Sequence, residues 1–592
     1  MLPQNLIENR LQKAVQAVLP DADTSSVLVR PASDAKFGDY QSNALMGLAK
    51  ARKMNPRQLA TDVLARLDVA DLCEKVEIAG AGFLNFHLKR AALENTLFSA
   101  AKGEHLFFEE ASKPRTAVID FSSPNVAKPM HVGHIRSTVL GDSLARVLRL
   151  LGHNVITDNH LGDWGTQFGM LIVGWKTILD RARLEADPLA EMERIYKIIS
   201  AKCDEKRPEF APAIREQARA ELVKLQSGDA ENLEIWRKML KLSQIQFDAI
   251  YGRLGVKFDH TYGESFYNPQ LQKIVSEFMQ RGIAQETEGA KAVLSDGKMP
   301  PKEDPFLVQR EGEWVAFPFI IQKSDGGFNY MTTDLATLKY RLQTWHPDEI
   351  IYVTDGRQQL HFRQLFASFL RWHPEAKIKL AHVWFGSILG EDGRPFKTRS
   401  GETVPLTELL DEAEERALKV VAEKNPELGP EQQREIARVV GLGSVKYADL
   451  LPNRQTDYVF SWDRMLALNG NTAPYLQYAY ARIRSIFRKG NVGQSFQPAS
   501  IILSSPHELA LAKHLLNFGI VLTAMAEEYR PNFLCNYLYE LAGHFTGFYE
   551  NCPVLKAETA DLRASRVAIS DLTARVLKQG LEVLGIETLE QM

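Results

Sequence analysis

The sequence predicts an α/β protein organised around a strand, a turn and a helix in Thr116–Gly152, and three observations support this fold class. First, Thr116–Phe121 is an apolar, β-branched run, which is typical of a buried strand. Second, Ser122–Asn125 contains a proline and turn-forming residues that end the strand. Third, apolar residues at helical spacing occupy Val139–Leu151 and stop at Gly152. A strand followed by a helix is the repeating unit of a parallel α/β sheet.

Later segments extend this pattern. His153–Asp158 is a second predicted strand, and a polar, glycine-containing loop follows it. Glu349–Asp355 is a further buried strand, and Ile378–Leu389 supplies another. Because parallel strands end at the same edge of a sheet, the loops after them are expected to form a ligand-binding crevice.

Length and charge limit the possible classes of protein. The chain has 592 residues, of which 45% are hydrophobic and 24% charged, so it is globular in composition and too long for a single core. Three or four domains are therefore expected. The formal net charge is −3, so any nucleic-acid partner must bind local basic patches.

The cysteines and apolar runs exclude further classes. No apolar run approaches the ~18 residues of a membrane span, and the N-terminus lacks a signal pattern. No membrane association and a cytoplasmic location are therefore expected. The cysteines form no CxxC pair, so neither structural zinc nor a disulfide framework is expected: Cys73, Cys203, Cys535 and Cys552.

Residues 1–105 are expected to form a separate α+β unit. Val76–Leu88 alternates in polarity across a Gly-Ala-Gly break, which predicts paired strands. An earlier loop contains Asp39, Tyr40 and Asn43. An exposed tyrosine beside polar groups could stack on an unpaired base. A turn with a half-buried tyrosine is equally compatible with this loop.

The turn before the predicted helix carries His131, Gly133 and His134, with Lys128 just upstream. Free amide groups and the positive end of the helix dipole meet there, so the position suits an anion. One histidine alone would more often be a helix cap. Two histidines that flank a glycine, with a lysine beside them, favour the anion site.

The second predicted half of the sheet carries polar residues at comparable positions. Tyr330 and Asp334 lie at the start of a predicted helix, and Gln358 follows a predicted strand. Each residue also has a structural alternative, such as Asp334 as a helix cap.

The region after Gly441 is predicted to be helical. Tyr475, Tyr478 and Arg482 alternate aromatic and basic groups at near-helical spacing, a pattern that can bind single-stranded nucleic acid. An aromatic stripe of this kind more often belongs to a core. The charged helical stretch between about 180 and 255 is assigned no chemistry, because such faces are usually only solvated.

The quoted motifs resemble a known family. His131-Val-Gly-His134 resembles the HIGH signature of class I aminoacyl-tRNA synthetases, and the longer run Ser122–Thr138 resembles arginyl-tRNA synthetases in particular. The loop Arg394–Gly401 stands where other class I enzymes carry KMSKS, and it departs from that pattern. Lys128 is therefore expected to replace a missing cation of that loop.

The resemblance implies a Rossmann-like class I catalytic domain with an N-terminal α+β add-on domain and a C-terminal all-α anticodon-binding domain. The implied segments are an add-on domain that contacts the tRNA elbow (1–105), the first catalytic half (106–180), a connective insertion (181–310), the second catalytic half with the KMSKS-like loop (311–400), a stem-contact linker (401–440) and the anticodon-binding domain (441–592).

The implied activity is arginine–tRNA ligation. ATP with Mg²⁺ would activate L-arginine, and the arginyl group would pass to the terminal 2′-OH of tRNA(Arg). Activation is expected to need bound tRNA. No editing is expected, since the insertion is short and lacks a recognisable pattern. A monomer is expected.

The resemblance also implies residue roles. Catalytic roles are implied for Lys128, His131, Gly133, His134, Lys397 and Arg399. Arginine binding is implied for Asp120, Ser123, Pro124, Asn125, His134, Tyr330, Asp334 and Gln358. ATP binding is implied for His131, Gly133, His134, Asp355, Gly356 and Lys397. Binding of tRNA is implied for Asp39, Tyr40, Asn43, Trp462, Tyr475, Tyr478 and Arg482.

Two alternatives remain. The first is another class I enzyme, such as a cysteinyl or glutamyl synthetase, which the missing zinc-type cysteines and the Asp334 and Gln358 pair oppose. The second is an inactive tRNA-binding homologue. The presence of both histidines of the HIGH-like motif, and of Lys128 and Lys397, opposes this alternative.

Overall fold

The computed structural model of the chain describes residues 2–32, 34–396, 403–493 and 498–592. The chain forms two compact units. One comprises residues 112–465, and the other is formed jointly by residues 1–111 and 466–592. The predicted α+β segment at the N-terminus therefore belongs to the same unit as the C-terminal helices.

The N-terminal segment is an antiparallel sheet with helices. Its helices are α1 (Pro3–Val18), α2 (Ala44–Ala51), α3 (Pro56–Leu64) and α4 (Arg90–Ala101). Its strands are β1 (Arg30–Pro31), β2 (Tyr40–Ser42), β3 (Cys73–Ala79) and β4 (Phe83–Leu88), in the order β1-β2-β4-β3. The predicted strand pair in Val76–Leu88 is confirmed, because β3 and β4 pair antiparallel.

The unit of residues 112–465 contains the parallel sheet. Its helices are α5 (Val132–Leu150), α6 (Thr166–Thr177), α7 (Arg181–Ala186), α8 (Pro188–Cys203), α9 (Pro212–Gln226), α10 (Ala230–Leu254), α11 (Glu264–Tyr267), α12 (Leu271–Gln280), α13 (Tyr330–Trp345), α14 (Gln359–Trp372), α15 (Leu406–Lys424), α16 (Pro430–Leu450) and α17 (Trp462–Met465). Its strands are β5 (Thr116–Asp120), β6 (Asn154–Leu161), β7 (His260–Gly263), β8 (Ala284–Thr287), β9 (Ala290–Val293), β10 (Leu307–Arg310), β11 (Glu313–Ala316), β12 (Phe319–Gln322), β13 (Glu349–Tyr352), β14 (Lys379–His382), β15 (Ile388–Leu389) and β16 (Tyr458–Val459).

The main sheet has the order β14-β13-β5-β6-β7, and its neighbouring strands all pair parallel. The predicted strand in Thr116–Phe121 is confirmed as the central strand β5, which is buried because helices cover both faces of such a sheet. Since the strands run parallel, the loops after β5, β6, β7 and β13 emerge at one edge. The candidate site lies at this edge.

The connective insertion contributes both helices and small antiparallel sheets. Helices α7 to α10 precede β7, and the strands β8, β9 and β12 form one sheet, while β10 and β11 form another. Val173, Ile199 and Ala218 form a small apolar core between α6, α8 and α9. Strand β7 lies within the segment predicted as the insertion but pairs into the main sheet, while β11 and β12 lie beyond its predicted end at 310. The insertion is therefore packed against the main sheet and shares its core.

The sequence places the start of the C-terminal helical domain at 441, whereas the compact units divide between residues 465 and 466. Position 441 falls inside α16, which belongs to the unit of residues 112–465. The reason is a buried ion pair in which the Arg136 guanidinium of α5 lies 2.8 Å from Asp449 of α16. This pair and the buried apolar residues of α16 hold the helix against α5 of the main sheet region.

The C-terminal helices pack with the N-terminal segment. They are α18 (Ala473–Gly490), α19 (Pro506–Leu515), α20 (Phe518–Glu528), α21 (Pro531–Asn551) and α22 (Ala560–Val583). Arg575 donates to the Ala100 carbonyl at 3.1 Å, and the Gly519 N–H donates to the Phe107 carbonyl at 3.0 Å. These bonds join the two ends of the chain in one unit.

One stretch of the described residues is long and apolar enough, by composition alone, to pass as a possible membrane span. This stretch is Pro506–Glu528, which has a mean hydropathy of 1.5. It is divided into α19 and α20, and side chains such as Leu515, Phe518 and Leu522 are fully buried. Its apolar character is thus accounted for by packing within the unit.

Candidate active site

The turn after β5 has a strained backbone. Ser122, Ser123 and Ala127 have φ values of 70°, 47° and 61°, a region that non-glycine residues rarely adopt. Buried hydrogen bonds hold this conformation, since the Ser122 N–H donates to the Ser137 hydroxyl at 2.8 Å. The hydrogen-bonded turn therefore fixes the direction in which the chain enters α5.

His131 and His134 cap the first turn of α5. The Gly133 N–H donates to Nδ1 of His131 at 3.1 Å, and the His131 N–H donates to Nδ1 of His134 at 3.1 Å. This is a reciprocal capping box, so the capping alternative is correct as a structural description. In a neutral ring whose Nδ1 accepts a hydrogen bond, the proton resides on Nε2. Both imidazoles therefore retain an Nε2–H donor for a ligand.

Both imidazoles are held neutral. Burial and the neighbouring His131 ring lower the pKa of His134 to about 3. Burial also lowers the pKa of His131, an effect that Glu193 opposes and Lys128 reinforces. Since both values lie below the ordinary value, neither ring carries a charge near pH 7. In their neutral form both rings can donate hydrogen bonds to an anion.

Gly133 leaves room for the His131 ring. A Cβ at position 133 would lie 2.9 Å from Cε1 and 3.0 Å from Nδ1 of that ring. The glycine between the histidines is therefore required by the close approach of His131 to the helix backbone, and its φ is not positive.

The segment that follows the KMSKS-like loop contacts this helix start. Lys397 and Arg399 lie outside the described residues. Beyond them, the Val132 N–H donates to the Val404 carbonyl at 3.0 Å, and the Leu406 N–H donates to the Met130 carbonyl at 2.9 Å. The segment after the loop is therefore bonded directly to the residues that flank His131.

Asp334 and Tyr330 are brought together by a histidine. Nε2 of His361 donates to Oδ2 of Asp334 at 2.7 Å, and the rings of Tyr330 and His361 are 5.0 Å apart. Asn329 occupies the cap position of α13, so the alternative of Asp334 as a helix cap is wrong. Tyr330 is 54% exposed and therefore accessible to a ligand.

Sequence reasoning missed Glu264 and His361. Glu264 begins α11 directly after β7, at the carboxyl end of a parallel strand. Burial and the carboxylates of Asp334 and Asp163 raise the pKa of Glu264 to about 8, although a Trp164 backbone N–H partly offsets them. A raised pKa with a second carboxylate nearby indicates a place where a cation would be stabilised. Sequence patterns predicted no strand before Glu264, so its position at the end of β7 was available only from the structure.

Asp120 faces an internal guanidinium. Arg341 is fully buried, and its Nη2 lies 2.6 Å from Oδ2 of Asp120 and 2.8 Å from Oδ2 of Asp158. The other oxygen of Asp120 accepts from the Ser123 hydroxyl at 2.9 Å. Asp120 thus supports Ser123 within the structure, and its direct contact with a substrate stays a prediction.

The other residues of this predicted set lie around the same crevice edge. Pro124 is buried, whereas Asn125 is exposed and pairs through its backbone with Gly162 after β6. A Cβ at Gly162 would lie 2.2 Å from Oδ1 of Asn125. Gln358 is exposed just before α14, near in sequence to His361.

The predicted nucleotide residues after β13 form a tight turn. Asp355 accepts from the Arg357 N–H at 2.8 Å and from its guanidinium at 2.7 Å. The Gly356 N–H donates to the Phe385 carbonyl at 3.0 Å, and a Cβ at Gly356 would lie 3.0 Å from the Trp384 ring. Glycine here permits close approach between the turn and the segment after β14.

The predicted tRNA residues of the N-terminal segment differ in accessibility. Tyr40 is only 3% exposed, so the expectation of an exposed, base-stacking tyrosine is wrong. Tyr40 lies on β2, the strand between β1 and β4, and not in an open loop. Asp39 forms an ion pair with Lys513 at 2.5 Å, and Asn43 is exposed at the start of α2.

The predicted residues of α18 lie on one face with aromatic neighbours from α21. Tyr478 is 49% exposed, and the ring of Tyr475 lies 5.6 Å from that of Tyr539. The Arg482 guanidinium lies 4.8 Å from the Tyr549 ring. This face is an accessible aromatic and basic surface.

Trp462 lies in the other unit, on α17. Its ring is half-buried, and the Arg416 guanidinium lies 5.3 Å from the ring centroid. Trp462 therefore belongs to a different compact unit from the α18 residues with which it was grouped.

Family models match most of the chain. Residues 96–462 match the model described as tRNA synthetases class I (R), catalytic domain. Residues 4–88 match the arginyl tRNA synthetase N terminal domain, and residues 476–592 match the DALR anticodon binding domain.

Curated and solved relatives agree with these models. The arginine–tRNA ligases of Proteus mirabilis and Salmonella agona are 47% and 46% identical to this chain, each with full coverage of both sequences. The arginyl-tRNA synthetase of Plasmodium falciparum superposes with a TM-score of 0.81 at 29% identity, covering 100% of this chain and 99% of that one. The Thermus thermophilus arginyl-tRNA synthetase has a TM-score of 0.81 at 26% identity, with both chains fully covered. The chain therefore belongs to the arginyl-tRNA synthetase family of class I.

Proposed function

We propose that this chain is an arginine–tRNA ligase, which activates L-arginine with ATP to arginyl-adenylate and pyrophosphate and then transfers the arginyl group to tRNA. The observation that carries the proposal is the pair of carboxylates, Glu264 and Asp334, at the edge of the sheet that also carries the two neutral histidines. The carboxylate pair suits the side chain of arginine, and the histidine pair suits the phosphates of ATP.

The carboxylate pair matches a guanidinium. A guanidinium is planar, is always charged and donates through five N–H groups, so it can engage two carboxylates at once. Tyr330 stands beside Asp334, and both burial and that carboxylate raise the pKa of its hydroxyl. An ammonium of lysine is a compact charge that cannot fill both carboxylate positions in the same geometry. The pocket therefore favours arginine over lysine.

The helix start suits the phosphates. Nε2–H groups of His131 and His134, the ammonium of Lys128 and the positive end of the α5 dipole all favour an anion. ATP would enter as its Mg²⁺ complex, which is the substrate. Attack of the arginine carboxylate on the α-phosphate leaves the protein mainly the tasks of orientation and charge stabilisation. Lys397 and Arg399 are proposed to add cations from their loop.

The remaining parts of the proposal concern tRNA. The face of α18 with Tyr475, Tyr478 and Arg482 is proposed to contact the anticodon region, because stacking aromatics and a guanidinium suit unpaired bases. Transfer is proposed to the terminal 2′-OH, activation to need bound tRNA, and hydrolytic editing to be absent. The protein is also proposed to be monomeric and cytoplasmic.

The direct test is a charging assay with each of the twenty amino acids and total tRNA. We expect acylation with arginine alone, and arginine-dependent pyrophosphate exchange only when tRNA is present. Exchange without tRNA would contradict the tRNA requirement but leave the ligase assignment intact. Binding of tRNA without any charging would instead favour the alternative of an inactive homologue.

Arginine binding should depend on pH through Glu264. Its pKa of about 8 in the free protein means that the group is mainly protonated at pH 7, whereas the guanidinium favours the carboxylate. Binding must then release a proton, so the Kd of arginine should rise about tenfold for each pH unit below 8. Equilibrium dialysis with labelled arginine between pH 6 and 8 measures this dependence.

The matched variant is Glu264→Gln, which removes the titrating group and keeps the shape of the side chain. The variant should bind arginine with a higher Kd than the wild type at pH 8, and this Kd should be nearly independent of pH. Parallel pH profiles for the variant and the wild type would show that another group is responsible.

A further inference from the structure

A helix of the connective insertion reaches the proposed phosphate site. Nζ of Lys128 lies 4.8 Å from the centroid of the Tyr196 ring, and Tyr196 belongs to α8. Both side chains are half-buried. Sequence patterns assigned no chemistry to this segment, yet it supplies the direct partner of the lysine beside the histidine pair.

The insertion also holds the backbone next to this lysine. The Ala127 N–H donates to Oγ of Ser243 on α10 at 2.9 Å, in a buried hydrogen bond. Ala127 has a φ of 61°, which the surrounding contacts must maintain. Helices α8 and α10 therefore fix the ammonium and the peptide that precedes Lys128, respectively.

A ring is a suitable partner for a lysine that must bind a phosphate. An ammonium over an aromatic face is attracted by the ring, but its charge is not neutralised. Among the described residues, no carboxylate forms an ion pair with Lys128. The acidic side chain of α8 nearest in sequence, Glu193, is engaged by Lys197 at 3.1 Å. The lysine is thus held in place with its full charge available.

We propose that Tyr196 is a positioning residue for adenylate formation, whose ring holds the Lys128 ammonium where it meets the phosphates of ATP. The inference rests on the proposed function of Lys128 in that step. A free lysine side chain samples many rotamers, so restricting it before the substrate arrives lowers the cost of orienting it. The connective insertion thereby becomes part of the catalytic apparatus.

A double-mutant cycle tests this inference in the full-length chain. Arginine-dependent pyrophosphate exchange is measured with tRNA present for the wild type, Tyr196→Leu, Lys128→Met and the double variant. Tyr196→Leu should lower kcat about threefold to tenfold and leave the KM of arginine unchanged. Tyr196→Phe keeps the ring and should restore the rate to within about twofold. In the Lys128→Met background, Tyr196→Leu should cause no further loss.

The possible outcomes separate this inference from the function on which it rests. If Lys128→Met lowers exchange but Tyr196→Leu does not, or if the two losses multiply, the positioning role is overturned and the role of Lys128 stands. If Lys128→Met leaves exchange unchanged, both proposals fail. Tyr196→Met, which replaces the ring with a flexible apolar chain, serves the same purpose if Tyr196→Leu does not fold.

Discussion

Asp334→Asn should weaken the use of arginine more than any other single conservative change in the pocket. The carboxylate accepts from His361 at 2.7 Å and lies close enough to Glu264 to raise the pKa of that group. Replacing it by an amide removes one partner of the guanidinium inside a partly desolvated site, which typically costs about 2–5 kcal/mol. The expected result is a fall of at least ~30-fold in kcat/KM for arginine, measured by charging of tRNA.

The matched control for this change is Asp325→Asn, the same substitution on an exposed loop before α13. It should leave kcat/KM unchanged. The wild type should not charge lysine, since its ammonium cannot engage both carboxylates. An unaffected KM in Asp334→Asn, or efficient charging with lysine, would remove the assignment of this pocket to arginine.

His134→Ala should lower kcat for arginine activation by ~10²–10³, because a preorganised donor to the transferring phosphate is lost. The ring is neutral, since burial and His131 lower the pKa of His134 to about 3, so the loss is that of an Nε2–H hydrogen bond. The substitution also removes the acceptor for the His131 N–H, which should cost about 1 kcal/mol of stability. Exchange kinetics and denaturant unfolding measure the two effects separately.

Two further variants divide the capping role of His134 from its phosphate role. His134→Gln keeps an acceptor suited to this position of a capping box, so it should restore stability without restoring the rate. His507→Ala removes an exposed histidine from the first turn of α19 and should change neither quantity. A near wild-type rate for His134→Ala would show that His134 acts only as a helix cap.

The sequence by itself determined the local parts of the site. Apolar periodicity identified β5 and α5, because side chains repeat with the period of each element. The histidines were placed at the start of α5 by the same local signal. Their capping box confirms that placement, since the hydrogen bonds involved join residues only two or three positions apart.

Only the tertiary structure decided the contacts between segments that are distant in sequence. The Asp334 carboxylate of α13 raises the pKa of Glu264 on α11, and the Lys128 ammonium lies against the Tyr196 ring of an insertion helix. Tyr40 is buried within the folded N-terminal segment, on a strand that pairs on both sides. Such positions depend on how strands pair and how helices pack. Residue patterns within one segment do not contain that information, because the partners come from elsewhere in the chain.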